Sequence, residues 1–348
     1  MVSKMMRSVM CLVLLFGVVT MTVDAANKSR IGTAGAQELL IPVGARGIAF
    51  GPSSMVFSRG SEAIFWNPAG LSRADNGVEA MVSHMSYFAD INVIYGAIGV
   101  KAGDFGSIGF SLKSVGFGDI PVTTESFPDG TGATYSPTFL NVGFTYSKLL
   151  TDRISVGLTG TLVSERIMEL AATGVAFNIG IQYQNLGING LNLGVSVRNL
   201  GPNMQFNGSN LLTQATTGEA RGTQWYTVQA ASFEMPSSME IGLGYAKSFD
   251  EYNTFQVGAM FRNNNYQEDE YSFGGEYSFQ NTMFVRGGYI MSPQTDKDLT
   301  GASGYMYDFT VGFGLHTNAG GVDLAFDYAY RHMKYFESNN VITMRVGF

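Results

Sequence analysis

The chain has 348 residues, of which 45% are hydrophobic, 13% aromatic and only 14% charged, with 44 glycines and a formal charge of −7. Ordinary soluble domains carry about 25% charged residues, and an acidic balance with no basic stripe argues against a nucleic-acid binder. Cys11 is the single cysteine, so no disulfide framework, thiol nucleophile or thiolate metal site is expected in the remainder.

Lys4 and Arg7 precede an apolar run from Met10 to Val19, which ends at Val23-Asp24-Ala25. This is the charged, apolar and small-residue order of a secretory signal peptide, assigned to residues 1–25. The run is shorter than the roughly 20 residues of a spanning helix. Ser8, Val9 and Met10 do not make a lipoprotein box ahead of Cys11. Residues 26–76 follow as an irregular N-terminal segment, periplasmic or plug-forming, with glycines at 32, 35, 44, 47 and 51 and prolines at 42 and 52. Ala36 to Leu40 suits one helical turn. The segment ends in GSEAIFWNPAGL, Gly60 to Leu71. Pro68 pushes Asn67 out of the α region and fixes its own φ, and Gly70 permits a reversal. Locally this is a short helix and turn; ahead of a barrel it reads as a plug packed inside what the strands enclose.

From Val78 on, fourteen strands are predicted, near 78–87, 91–101, 105–115, 138–149, 153–164, 174–185, 190–199, 238–248, 253–262, 270–280, 282–291, 304–316, 321–332 and 340–348. Most reach the 9–11 residues that a tilted strand needs to cross a bilayer. Val322, Leu324, Phe326, Tyr328 and Tyr330 alternate with Asp323, Ala325, Asp327, Ala329 and Arg331, the period-two sign of a sheet with unlike faces. The strands near 78–87 and 91–101 are apolar on both faces and suit a greasy or plugged interior. Short turns alternate with longer loops, near 116–137, 165–173, 200–237, 263–269, 292–303 and 333–339. The predicted fold is all-β: a transmembrane antiparallel β-barrel of about fourteen strands over residues 77–348, with a short N-terminal plug. Short turns then face the periplasm, and the N-terminus is expected to arrive from that side.

The last strand, ending ITMRVGF, puts Ile342, Met344, Val346 and Phe348 on one face. A terminal aromatic on an amphipathic strand resembles the signal read by the barrel-assembly machinery, which makes that machinery and outer-membrane lipid expected partners; an ordinary closing strand is the plainer alternative.

No enzyme is expected. His84, His316 and His332 lack metal-ligand spacing, there is no GxSxG elbow, and the glycines of Gly103 to Gly109 match no phosphate loop; no cofactor and no metal site are assigned. Arg198, Glu240, Arg262, Glu276, Arg286, Asp308, Asp323, Asp327, Arg331 and Arg345 fall in phase with the polar strand faces. Inside a barrel such charges must pair or be hydrated, as a network holding a plug or as a polar conduit. Gln267-Glu268-Asp269-Glu270 reads as a solvated charged loop, with carboxylate binding of Ca²⁺ as the alternative. The loop near 200–237 carries Phe206, Leu211, Leu212, Trp225, Tyr226 and Phe233, as a partner-binding surface or as a self-packed cap. Within it Phe206, Trp225, Tyr226 and Phe233 are the candidate contacts.

GTAGAQELLIPVGARGIAFG at 32–51, followed by AIFWNPAGL at 63–71, resembles the start of the PorV/PorQ family of outer-membrane proteins, itself similar to FadL-type fourteen-stranded barrels. The specific likeness covers residues 31–75. It departs at Gly51-Pro52-Ser53-Ser54 and Arg59-Gly60-Ser61-Glu62, where members often have a second Gly-Gly and an acidic run. The resemblance implies a plug containing Phe65, Trp66, Asn67, Pro68, Ala69 and Gly70. It implies a non-enzymatic accessory of type IX secretion or surface assembly, acting through the translocon or its cargo. Alternatively, it implies a FadL-like transporter of long-chain fatty acids or other hydrophobic compounds.

Overall fold

The computed structural model describes residues 28–216, 223–293, 295 and 304–348. The signal peptide assigned to residues 1–25, with Cys11, lies outside the described residues. Fourteen long strands form the wall: β1 Val78–Ser86, β2 Asn92–Lys101, β3 Ser107–Gly116, β4 Thr138–Leu149, β5 Ile154–Ile167, β6 Leu170–Tyr183, β7 Leu191–Leu200, β8 Ser238–Ser248, β9 Thr254–Asn264, β10 Glu270–Phe279, β11 Met283–Met291, β12 Tyr307–Ala319, β13 Val322–Met333 and β14 Asn339–Gly347. Each pairs antiparallel with its sequence neighbour, and β1 pairs with β14 from Glu79 opposite Gly347 to Ser86 opposite Asn340. The sheet is therefore a closed barrel with no free edge, which satisfies every strand's backbone groups in a medium without water.

The usual distribution of side chains is inverted. Phe144, Leu158, Leu162, Ile179, Val285, Phe313 and Met344 are exposed on the outside, while Ser111, Thr145, Ser155, Thr159, Gln182 and Ser196 are buried inside. A water-soluble barrel would bear a large solvation penalty on that outer surface; an apolar band facing lipid removes it. No helix among the described residues is long and apolar enough to cross a membrane. The protein is a bacterial outer-membrane β-barrel.

The N-terminal segment fills the interior. It contains two short helices, α1 Ala45–Phe50 and α2 Gly60–Trp66, and 3-10 turns at Gln37–Leu40, Pro52–Val56 and Pro68–Arg73. Gly44 and Gly51 bracket α1 with φ of 82° and 85°, values that only glycine adopts without strain. Val43, Ile48, Phe50, Met55, Val56, Ile64, Trp66 and Leu71 of this segment form the main apolar core with Met81, Met85, Val93, Tyr95 and Val115 of β1 to β3. The doubly apolar strands thus face the packed segment on one side and lipid on the other.

Two expectations require correction. The segment does not come up from the short-turn end. Arg30 bonds Glu234 at 2.7 Å, and Gly32 N–H donates to Tyr266 O at 3.0 Å; both partners lie at the long-loop end. The chain starts there, descends through the lumen and joins the wall at Val78, on the short-turn side. The predicted loop near 165–173 is also absent. β5 and β6 continue to a tight turn at Met168 and Glu169, with Met168 at φ 53°. Glu165 and Arg166 fell in the predicted loop because they are polar, but Glu165 faces the interior and is buried.

Candidate functional site: the filled lumen

Wall glycines receive the plug. A Cβ added at Gly274 or Gly288 would collide with the Phe50 carbonyl, at Gly194 with Met55, at Gly244 with Phe57, at Gly109 with Ile64 and Leu71, and at Gly157 with the Pro68 carbonyl. At Gly157, Gly274 and Gly288 the plug backbone itself approaches closely, and at the others its side chains do. The segment Phe65 to Gly70 sits among them. Trp66 is buried and donates its indole N–H to Val43 O at 3.1 Å. Asn67 accepts from Ala69 N–H at 3.2 Å and donates to the Ile181 carbonyl of β6, also at 3.2 Å. Ala69 O accepts from Ser147 of β4 at 2.9 Å. Gly70 lies against Ser58 O and Ala63, with no room for a side chain. Phe65 alone of α2 is only half-buried. Its ring lies 4.5 Å from the Arg198 guanidinium and 5.2 Å from Lys113 Nζ.

Most of the inward charges join two networks. In the first, Arg46 of α1 bonds Glu62 of α2 at 3.1 Å and Glu276 at 3.2 Å, and Arg286 bonds Glu276 at 2.5 Å and Asp327 at 2.6 Å. His316 reaches Asp327 at 3.3 Å, so it faces the lumen. In the second, Glu240 binds Arg198 at 3.3 Å and Arg262 at 2.8 Å, and Arg262 binds Glu270 at 2.7 Å. Arg331 stacks 3.4 Å from the Tyr307 ring. Asp308 pairs with His332 at 2.7 Å, and Asp323 accepts from Asn318 at 2.6 Å. Arg345 lines a cavity of about 10 Å³ with Arg46, Glu62 and Asp327. His84 faces outward on β1.

The acidic stretch 267–270 is not a solvated cluster. Asp269 is buried and accepts from Asn263 at 2.9 Å and from the Asn264 N–H at 3.0 Å. Glu268 accepts from Ser292 and Thr295, and Glu270 is taken up by Arg262. Each carboxylate has a structural partner. Among the described residues no three acidic or histidine side chains converge as metal ligands.

A polar chamber of about 40 Å³ lies beside Phe65, lined by Leu39, Tyr95, Ser111, Lys113, Asn141, Thr159, Asn178, Arg198 and other residues. That is room for roughly three waters at about 10–15 Å³ each. Both amide atoms of Asn141 and the Nε of Arg198 lack hydrogen-bond partners there. At the long-loop end, Ala36, Leu39, Val163, Ala172, Ala176, Met204 and Met235 form a second apolar cluster, with Phe206 and Phe233 packed against it. The two halves of the long loop differ. Phe206 and Phe233 turn toward the barrel, their ring centroids 5.6 Å apart. Trp225 is 65% exposed on a small hairpin, Leu212–Ala215 with Gln224–Thr227, which also carries the half-buried Tyr226. Phe348 is 63% exposed at the short-turn end.

No protein-family model and no curated protein matches the sequence. Solved structures do. The toluene transporter TodX of Pseudomonas putida aligns with a TM-score of 0.52 at 14% identity, over 86% of this chain and 97% of that one. The CymD monoaromatic hydrocarbon channel aligns at 0.50 and 14% identity, over 86% and 96%. At such identities the likeness is one of fold: this chain shares the architecture of these outer-membrane barrels along nearly their whole length.

Proposed function

We propose that this protein is a FadL-like outer-membrane channel for small hydrophobic or amphiphilic compounds, long-chain fatty acids among them, with no enzymatic activity. The observation that carries the reading is the full-length likeness in fold to barrels described as hydrocarbon channels and toluene transporters. The interior supplies plausible stations. The apolar cluster of Met204, Phe206, Phe233 and Met235 offers a greasy surface at the long-loop end, and the chamber beside Phe65 lies beneath it. The plug closes the resting lumen, so passage requires displacement of side chains around Phe65 or of the plug itself. Uptake of labelled oleate and of toluene by cells making the protein, against cells lacking it, tests the reading. Faster uptake of either supports it; identical uptake of both overturns it.

A second reading, a PorV/PorQ-type accessory of type IX secretion, draws support from the exposed Trp225 hairpin and the closed lumen. Isolation of the native protein in mild detergent separates the two: co-purified secretion components favour the accessory, and a lone barrel carrying acyl chains favours the channel.

A further inference from the structure

The arm that covers the chamber carries a buried acidic pair. Glu38, on the turn Gln37–Leu40, is 2% exposed, and Glu165, facing inward from β5, is 4% exposed. The two carboxyls lie within hydrogen-bonding reach of each other. Neither Glu38 oxygen meets a donor in bonding geometry; its own amide is close but not aligned. Lys113 from β3 is the nearby cation, yet its ammonium donates to backbone oxygens, Glu38 O at 2.6 Å and Ile41 O at 2.5 Å. Arg198 from β7 faces Lys113 but is paired with Glu240. Farther along the arm, Arg30, Glu234 and Tyr266 bond one another. Lys113 can offset one carboxylate, and no further cation is left for the second. Two carboxyl groups so placed attract only when a proton lies between them; both ionised, they repel in a medium that screens poorly.

We propose that Glu38 and Glu165 form a one-proton clasp, which holds the N-terminal arm against β5 over the chamber while the proton is present and releases the arm when it leaves. The proton goes to solvent, and no other reactant is needed. Leu39 couples the clasp to the interior, because it lines the chamber and belongs to the apolar cluster above it. Burial first, and then Glu165, push the Glu38 carboxyl up to about 8. A carboxyl raised above its ordinary value stabilises the folded arrangement most at low pH, and that contribution is lost as pH rises through the raised value. Acid media therefore hold the arm most firmly, the hold weakens across neutral pH, and alkaline media release it. The clasp does not depend on what the barrel carries, and its test involves no transport.

Cys11 is the single cysteine and lies in the assigned signal peptide, so Leu39→Cys gives the processed protein one buried thiol. Its labelling rate, in the folded barrel in vesicles, is compared at each pH with that of Leu39→Cys/Glu38→Gln, which cancels the thiol's own titration. Glutamine cannot lose the proton. The expected ratio is flat below about pH 4.5, rises by up to about tenfold per pH unit from there to about pH 8, the slope for one released proton, and levels off above about pH 8. Glu165→Gln in place of Glu38→Gln should give the same ratio. A ratio constant from about pH 6 to about pH 10, or one that rises toward acid, overturns the clasp. If either double variant fails to give folded barrel, a thiol at exposed Thr227 in the otherwise unchanged chain serves as the reference, with the same expected and overturning profiles.

Discussion

The side chain of Asn67 fills the space that a side chain at Gly180 would occupy. A Cβ on Gly180 would overlap Asn67 Oδ1 and come within 2.8 Å of Pro68 Cδ. The plug motif and the β6 wall are thus complementary at the level of single atoms.

Gly180→Val should therefore displace the Asn67-Pro68 turn. Overpacking of this kind costs about 1–3 kcal/mol, and the backbone of the turn has little freedom to yield. The expected result is a barrel that still folds but whose N-terminal segment becomes open to trypsin, which can cut after Arg46, Arg59 and Arg73. Ile179→Val, on the adjacent lipid-facing position, should leave digestion unchanged. Equal protease resistance in the two variants would show that the plug tolerates the change and that the contact is not what seats it.

Arg286 is fully buried between Glu276 and Asp327. Arg286→Met leaves two carboxylates facing each other without their shared cation. Loss of one partner of a buried pair costs about 3–5 kcal/mol, so the urea midpoint of the refolded barrel should fall sharply. Adding Glu276→Gln and Asp327→Asn should restore much of that loss, because the charges then vanish together. A triple variant no more stable than Arg286→Met would contradict the electrostatic account.

The wall was legible from the sequence and the lumen only in part. Several wall strands are announced by a period-two alternation of their own residues, as with Leu324 and Phe326 against Asp327, while the first two are apolar on both faces. Such a signal is local, and lipid on the outside makes it strong. Phase also identified Arg198, Glu240, Arg262, Glu276, Arg286 and Asp327 as inward charges. It did not show which of them pair, because pairing depends on strand tilt and on Arg46 and Glu62 in the plug. The course of the arm was misread for a related reason. Glu38, Lys113 and Glu165 stand far apart in sequence, and nothing local ties them together. The isolated lysine on the polar face of β3 was the available hint. Glu268, Asp269 and Glu270 were misread as free because their partners Asn264, Arg262 and Thr295 come from neighbouring elements.

The hairpin bearing Trp225 separates the two functional readings. Trp225 is exposed and outside both apolar clusters, so Trp225→Ala should leave barrel stability within about 0.5 kcal/mol of the parent. Under the channel reading, oleate and toluene uptake should also be unchanged. Under the accessory reading, co-purification of partners in detergent should fall severalfold. Large loss of uptake with intact folding would instead make the hairpin part of the entry path.

Closure of the barrel depends on its last residue through two separable features. The Phe348 N–H donates to Val78 O at 2.8 Å, and Phe348 O accepts from Gly77 N at 2.8 Å and Val78 N at 3.1 Å. The ring itself is exposed and contributes little to the folded seam. Deleting Phe348 removes three backbone bonds, each worth about 0.5–1.5 kcal/mol, and exposes the short-turn end of β1 as an unpaired edge. It should lower the amount of folded, heat-modifiable barrel in the outer membrane. Phe348→Ala keeps the backbone bonds and removes only the ring. If the assembly machinery reads the terminal aromatic, the alanine variant should assemble as poorly in cells as the deletion, yet refold normally from urea into detergent. If the seam alone matters, the alanine variant should assemble like the parent while the deletion remains defective in both settings. Full assembly of the deletion would remove Phe348 from both roles and leave β14 to close the barrel through its paired residues from Asn340 to Gly347.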